Sequence, residues 1–404
     1  VTPGALKRAL AAAFRGALAG VDLEARVREA MPRVPAGVRA GAVVAVGKAA
    51  PAMARGALAA VDERFTRVLV VAPDGTPAAF SDGRVELLRA SHPDPDARSV
   101  AAARRALAVV READFVVALV SGGASSLVFL PVGGRLEPYV RVFRALLTAG
   151  ATVREVNVVR RHACRVKGGG LAREAGGPVR TLLASDVLGG SPEDVGSGPT
   201  VADPTTLADA KRILARFAPG LASPPLHESL KPREVARGRL GVRVVARPED
   251  LARAVASELR SKLRAVRVLR PSTAPVEVLA REYVERARRL EPGEALVRAA
   301  EPSVKVGGAR SGQGGRSTHL ALRVAAELEL GVVLLAGASD GVDGASESGG
   351  AVVDGSVAAK AGRDAVEASL AAFDSGTLLR SIGMTLPLAP SGTNLGDVHV
   401  LARA

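Results

Sequence analysis

Three short runs constrain the fold more than anything else in this chain: Ala42-Val-Val-Ala-Val46, Phe115-Val-Val-Ala-Leu-Val120 and Val332-Val-Leu-Leu335. None alternates apolar with polar, and each leads into a glycine-bearing loop. A strand that is apolar on successive residues must be covered on both faces, which is the condition of a parallel sheet sandwiched between helices. Segments with helical spacing separate the runs, at 95–110, 138–148, 152–164 and 205–217. Strand, glycine loop and helix in repetition predict an α/β fold with largely parallel sheets. Aromatics are only 2% of residues, so the core must be built from Ala, Val and Leu.

Further strands are expected at 67–71, 85–89 and 179–184. The stretch Ala218-Pro-Gly-Leu-Ala-Ser-Pro-Pro225 interrupts the pattern, and the alternation restarts near 241. Two α/β domains are expected, 1–235 and 236–404. No repeat of solenoid period is present.

The net charge is +14. Such a balance suits an anionic ligand or nucleic acid. The basic residues are spread along helices, however, and there are no tryptophans and two tyrosines on which bases could stack. Small anionic substrates are the expectation, with no nucleic acid as partner. A non-catalytic anion- or nucleic-acid-binding module is the reading to exclude. The single cysteine, Cys164, allows no internal disulfide. No apolar run approaches the roughly 18 residues of a membrane span. Lys7-Arg8 precede a short apolar run that Arg15 ends, while Leu6, Leu10, Phe14 and Leu18 fall on one helical face. A cytoplasmic protein with no membrane partner is expected. Whether it is a homo-oligomer stays open.

Two fingerprints are missing. Gly47-Lys48 is not a Walker A loop, and no G-x-G-x-x-G opens a helix after a strand. The five histidines show no metal-ligand spacing. Ser121-Gly122-Gly123-Ala-Ser125 ends a buried strand but is not a nucleophile elbow, because Leu127 stands where a second glycine is needed. It fits a phosphate cradle of backbone N–H groups or a plain glycine turn. Lys48 sits at another strand end. Asn157, Arg160, Lys167 and Gly168 flank the end of one helix, and Ser197-Gly198 follow shortly after. Asp186 lies at a strand's carboxyl end, where a carboxylate can meet a nucleotide's magnesium, accept a proton, or close an Asx turn. Arg316 ends the loop Gly312-Gln-Gly-Gly315, where its planar fork suits phosphate or carboxylate, or plain solvent. Asp340-Gly341-Val-Asp343 and Asn394 lie in two further loops.

In order, Gly47-Lys48-Ala-Ala-Pro-Ala-Met53, Ser91-His92-Pro93, Ser121-Gly-Gly, Asn157-Val-Val-Arg160, Lys167-Gly-Gly, Ser185-Asp186-Val, Ser197-Gly-Pro-Thr200, Gly314-Gly-Arg316, Ser339-Asp-Gly-Val-Asp-Gly344 and Ser391-Gly-Thr-Asn394 span nearly the whole chain. This series resembles the glycerate 2-kinase family, whose C-terminal part is called the MOFRL domain. The resemblance implies ATP-dependent phosphorylation of D-glycerate to 2-phosphoglycerate with Mg2+. It also implies two α/β domains with a cleft between them, and a functional lysine and arginine, carried here by Lys48 and Arg316; Asp186 is expected as the third catalytic residue, binding magnesium or taking the proton from the glycerate hydroxyl. Ser121, Gly122, Gly123, Ser125, Asn157, Arg160, Lys167, Gly168, Ser197, Gly198, Asp340, Gly341, Asp343 and Asn394 are the expected substrate- or nucleotide-binding residues. Some members of the family carry the label hydroxypyruvate reductase, a nicotinamide-dependent alternative that the missing dinucleotide fingerprint disfavours. Three departures touch metal ligation and acceptor choice: Gly190-Ser191 where the family has an acidic pair, Ser317-Thr318-His319 for Asn-Gln-Glu, and Gly396 within the last motif.

Overall fold

The computed structural model describes residues 2–304 and 312–404. Two compact units emerge, one of residues 23–246 and one joining 1–22 to 247–404.

The 23–246 unit is built on six strands: β1 (Gly41–Val46), β2 (Phe65–Pro73), β3 (Val85–Ala90), β4 (Phe115–Ser121), β5 (Val179–Ala184) and β6 (Leu240–Ala246). All five pairings are parallel, and the strand order is 3-2-1-4-5-6. Every residue of β1 and β4 is buried, as their unbroken apolar character requires. Order reverses between β1 and β4. In open α/β sheets, that reversal opens a crevice beyond the strand carboxyl ends. The helices Ala97–Arg111, Glu137–Thr148, Val153–Ala163 and Leu207–Phe217 lie where their spacing predicts. The few aromatics cluster: Phe129 meets Tyr139 and Phe143 edge-on at 5.8 and 5.6 Å.

The other unit holds β7 (Ala265–Val268), β8 (Glu294–Ala300), β9 (Val332–Ala338), β10 (Gly350–Asp354) and β11 (Asp397–Arg403), in the order 10-9-11-8-7. This second sheet is mixed rather than largely parallel. Only β7 and β8 pair parallel; β10–β9, β9–β11 and β11–β8 are antiparallel. The connection from β7 to β8 carries the helix Val276–Ala287, as a parallel crossover needs. The β9–β10 connection contains no helix, which suits an antiparallel neighbour.

The compact units divide at 246/247, whereas the restart of the strand–helix alternation places the division at 235/236. The reason is β6, which completes the parallel sheet beside β5. The first helix, Pro3–Gly20, also groups with the C-terminal half. Its Leu6, Leu10, Phe14 and Leu18 are buried along one face, and it packs on the helix Pro248–Arg260 and on β9.

Candidate active site

At the carboxyl ends of β1 and β4 the two loops are tied together. Lys48 N–H donates to Gly122 O at 2.9 Å, and Ala49 N–H donates to Ser121 Oγ at 3.1 Å. Glycine is required at both bends. Gly47 has φ +133°, and a Cβ there would stand 2.1 Å from Ser121 Oγ. Gly123 has φ +85°, and a Cβ there would press on Lys48 Cγ and His92 Cδ2, both 3.2 Å away. The loop therefore brings the lysine, the glycines and an imidazole to one place. Among the described residues, no hydrogen bond within the protein uses the N–H of Gly122 or Gly123. Two N–H groups at a strand end, beside a lysine, form the cradle that an anion prefers. Asp186 leaves the same sheet edge: Ala184 of β5 pairs with Ser121, and Asp186 follows two residues on.

Behind the cradle runs a chain of side chains. The helix Val153–Ala163 starts on a capping box between Thr152 and Glu155, which fixes its register. It buries Asn157 and carries Arg160 one turn later. Ser197 Oγ donates to Asn157 Oδ1 at 3.0 Å and meets Ser125 Oγ at 2.9 Å. Arg160 donates to the same Asn157 oxygen at 3.4 Å. Ser197 has φ +60°, a left-handed conformation that is costly for a residue with a side chain and common at functional sites.

Lys167, Gly168 and Gly198 make hydrogen bonds within the protein. Lys167 is fully buried, and its Nζ donates to Ala124 O at 2.8 Å and Gly196 O at 2.9 Å. Burial lowers its pKa from 10.5 to about 7. Gly168 N–H donates to Ser197 O, and Gly198 N–H donates to Val195 O, so neither is left for a ligand. These contacts stitch the 167–170 and 195–199 loops beneath the cradle. Ser191, in place of the family's acidic pair, gives its N–H to Asp194 Oδ2 at 3.1 Å.

The second unit gathers the other expected residues. Arg316 opens the helix Arg316–Ala325. It donates to Asp397 at 2.7 and 3.2 Å and to Glu301 at 2.8 Å. Three of the five guanidinium N–H groups are thus used. Burial pulls the Arg316 pKa down, but Asp397 and Glu301 more than reverse this and raise it above the ordinary arginine value. Burial pushes the Asp397 carboxyl up, and the Arg316 fork pulls against that rise. Asp343 accepts from the N–H groups of Ser317 and Thr318 at 2.9 and 2.8 Å. It thereby caps the helix that carries Arg316. Asp340 closes an Asx turn on Val342 N–H at 3.0 Å. Ser391 N–H donates to Asp340 O, and Leu395 N–H donates to Ser339 Oγ. The Asp340-Gly341 and Asn394 loops are therefore one structure.

Asp397 and Glu301 escape sequence reasoning, because they lie 81 and 15 residues from the arginine they hold. His92 is legible only as part of the ordered motif series.

Residues 9–230 match a family described as a domain of unknown function, DUF4147, and residues 294–397 match the MOFRL family. A protein of Agrobacterium vitis named "Putative hydroxypyruvate reductase" is 36% identical, with 96% of this chain and 92% of that one covered. A glycerate 2-kinase of Pyrococcus horikoshii is 33% identical, with 89% and 86% covered. The crystal structure of a glycerate kinase from Thermotoga maritima superposes with a TM-score of 0.84 at 28% identity, covering 99% of this chain and 100% of that one. Among the described residues, no helix is long and apolar enough to cross a membrane. With one family model spanning more than half of the chain and relatives above 30% identity over nearly all of it, the chain belongs to the glycerate 2-kinase family and carries that family's MOFRL domain in its C-terminal part.

Proposed function

We propose that the protein is an ATP-dependent kinase that phosphorylates the 2-hydroxyl of D-glycerate. The observation that carries this reading is the pair of uncommitted N–H groups on Gly122 and Gly123 beside Lys48, where the strand order reverses. Phosphoryl transfer asks for positioning and charge neutralisation and needs little covalent help. Lys48 and the Gly122–Gly123 amides bind phosphoryl oxygens, and Lys48 offsets the charge that grows on them. Arg316 is the proposed second cation. Asp397 and Glu301 hold its fork rigid and leave two N–H groups for a ligand.

Among the described residues, no group of three His, Cys, Asp or Glu side chains is placed to hold a metal. That donor set suits magnesium arriving with the nucleotide, since an ion held mainly by phosphate oxygens takes only one or two carboxylates from the protein. Asp186 is the proposed carboxylate. Asp186 would hold the ion there, and the ion would supply charge neutralisation to the nucleotide's phosphates.

Hydroxypyruvate reduction is the rival, because the 3-2-1-4-5-6 sheet also serves dinucleotide enzymes. One experiment separates the two. The protein is given ATP, magnesium and D-glycerate with the product isomer read by phosphorus NMR, and in parallel NADH and hydroxypyruvate with the nicotinamide absorbance followed. The kinase reading expects 2-phosphoglycerate and a flat absorbance trace. Oxidation of NADH with no phosphorylated product overturns it.

A further inference from the structure

Most charged groups around the helix Val153–Ala163 are paired. Arg161 lies 3.1 Å from Asp203 and 3.6 Å from Asp194, and Arg154 is 3.5 Å from Asp194. Arg160 makes no ion pair among the described residues. The carboxylate whose charge acts on it, Asp94, is itself gripped by Arg144 at 2.6 Å. Burial lowers the Arg160 pKa, and the charge of Arg160 in turn helps to depress Lys167. Its guanidinium is held 5.2 Å from the centroid of the Phe143 ring. This is a fixed, partly desolvated cation, near a second cation, with no ion-pair partner among the described residues. An anion docking against it relieves both conditions.

The neighbours say which anion. Ser197 spends its hydroxyl proton on Asn157 Oδ1, an oxygen that only accepts. Ser125 must therefore donate to Ser197 across their 2.9 Å contact. What Ser125 then presents outward is lone pairs, which accept a hydrogen bond from a ligand hydroxyl. A fully ionised phosphate has no proton to offer there. A hydroxy acid has both parts: a planar carboxylate that fits the arginine fork, and a hydroxyl that donates to Ser125. Ser125 lies two residues beyond Gly123, so that hydroxyl is delivered next to the phosphate cradle.

We infer that Arg160 recognises the carboxylate of the acceptor acid and that Ser125 accepts from its hydroxyl. Arg160 then sets acceptor choice rather than nucleotide affinity. Asn157 acts as a positioning residue for both. This rests on the kinase reading above and assigns its acceptor subsite.

The test uses the full chain and two variants, Arg160→Gln and Arg160→Lys. KM is measured for D-glycerate and for ATP, together with the preference for D-glycerate over its uncharged amide. Calorimetry of D-glycerate binding without nucleotide is run alongside. In Arg160→Gln the KM for D-glycerate is expected to rise by about 10- to 150-fold, the loss of one charge-assisted hydrogen-bonded contact. The KM for ATP stays within about two-fold, preference over the amide falls by the same factor as glycerate affinity, and Arg160→Lys recovers part of the loss. A rise confined to the ATP KM, or an unchanged preference over the amide, overturns the assignment. Should Arg160→Gln fail to fold, Arg160→Lys carries the same comparison, because it keeps the charge and removes the fork. If the wild-type protein binds D-glycerate in the calorimeter without phosphorylating it, and Arg160→Gln loses that binding, the subsite stands and the kinase reading falls. If wild-type and variant bind D-glycerate equally, the subsite falls whatever the activity.

Discussion

Around Gly122, Gly123 and Arg160 the protein offers donors: backbone N–H groups and a guanidinium that, among the described residues, forms no ion pair. Around Arg316 it offers the reverse, a cation forked by Asp397 and Glu301 above a helix capped by Asp343. In the first region the donors have no carboxylate ion pair among the described residues, whereas in the second the Arg316 charge is more than balanced by Asp397 and Glu301. A site waiting for an anion and a site that locks its own cation respond differently to mutation, which separates binding chemistry from structural support.

Lys48→Ala should show the largest effect. Turnover is expected to fall by about 10²–10³-fold, the usual loss when a group stabilising transition-state charge is removed. Thermal unfolding should move by no more than about 2 °C, because the lysine belongs to a loop and not to the core. A large drop in melting temperature would turn Lys48 into a structural residue and break the contrast.

Arg316→Ala should damage stability as well as turnover. It leaves Asp397, whose side chain is 2% exposed, without its partner. Breaking a fully buried pair costs about 3–5 kcal/mol, and the part-exposed arginine brings the expectation to about 2–3 kcal/mol, read as a lower denaturant midpoint. Stability equal to wild type would show that Asp397 and Glu301 do not lock the arginine.

Lys167 sharpens the comparison through pH. Its folded pKa is depressed from 10.5 to about 7, so between these values the unfolded chain holds a proton that the folded chain lacks. Stability from this group therefore rises with pH across that window, by roughly 1–2 kcal/mol between about pH 7 and 9. Urea melts of wild type and Lys167→Met should diverge in favour of wild type as pH rises. Parallel curves would mean that Lys167 stays charged in the fold.

Asp343→Ala should give the smallest change, about 1–2 kcal/mol, from loss of the cap on the Arg316 helix. If it abolished activity at unchanged stability, Asp343 would touch ligand instead, and the second region would no longer be the balanced one.

Legibility in the sequence followed local character. β1, β4 and β9 are continuous apolar runs, and their identity as buried strands needs nothing beyond ten consecutive residues. β8 passes unnoticed because Glu294 and Arg298 break its apolar run, and Arg298 finds its charge partner in Glu282 on the helix Val276–Ala287. β10 is five residues with glycine at its start, too short to announce itself. In the candidate site, the glycine loops and Lys48 are readable because strand ends and tight bends leave local marks. The grip on Arg316 is not, since it depends on which strands become neighbours. The hydrogen bonds that Gly168, Gly198 and Lys167 make to neighbouring loops are not legible either, because a glycine-rich loop reads the same whether it holds an anion or another loop.

The pairing of the Pro3–Gly20 helix with the C-terminal half has a consequence for synthesis. That helix precedes its partners in the chain, and the helix Pro248–Arg260 and β9 are made only after the whole of 23–246. Until then the elements that bury Leu6, Leu10, Phe14 and Leu18 in the folded unit have not been made. A fragment beginning at 247 would lack the same cover from its other side. A circular permutant that places residues 2–22 after Ala404 would let both partners emerge together.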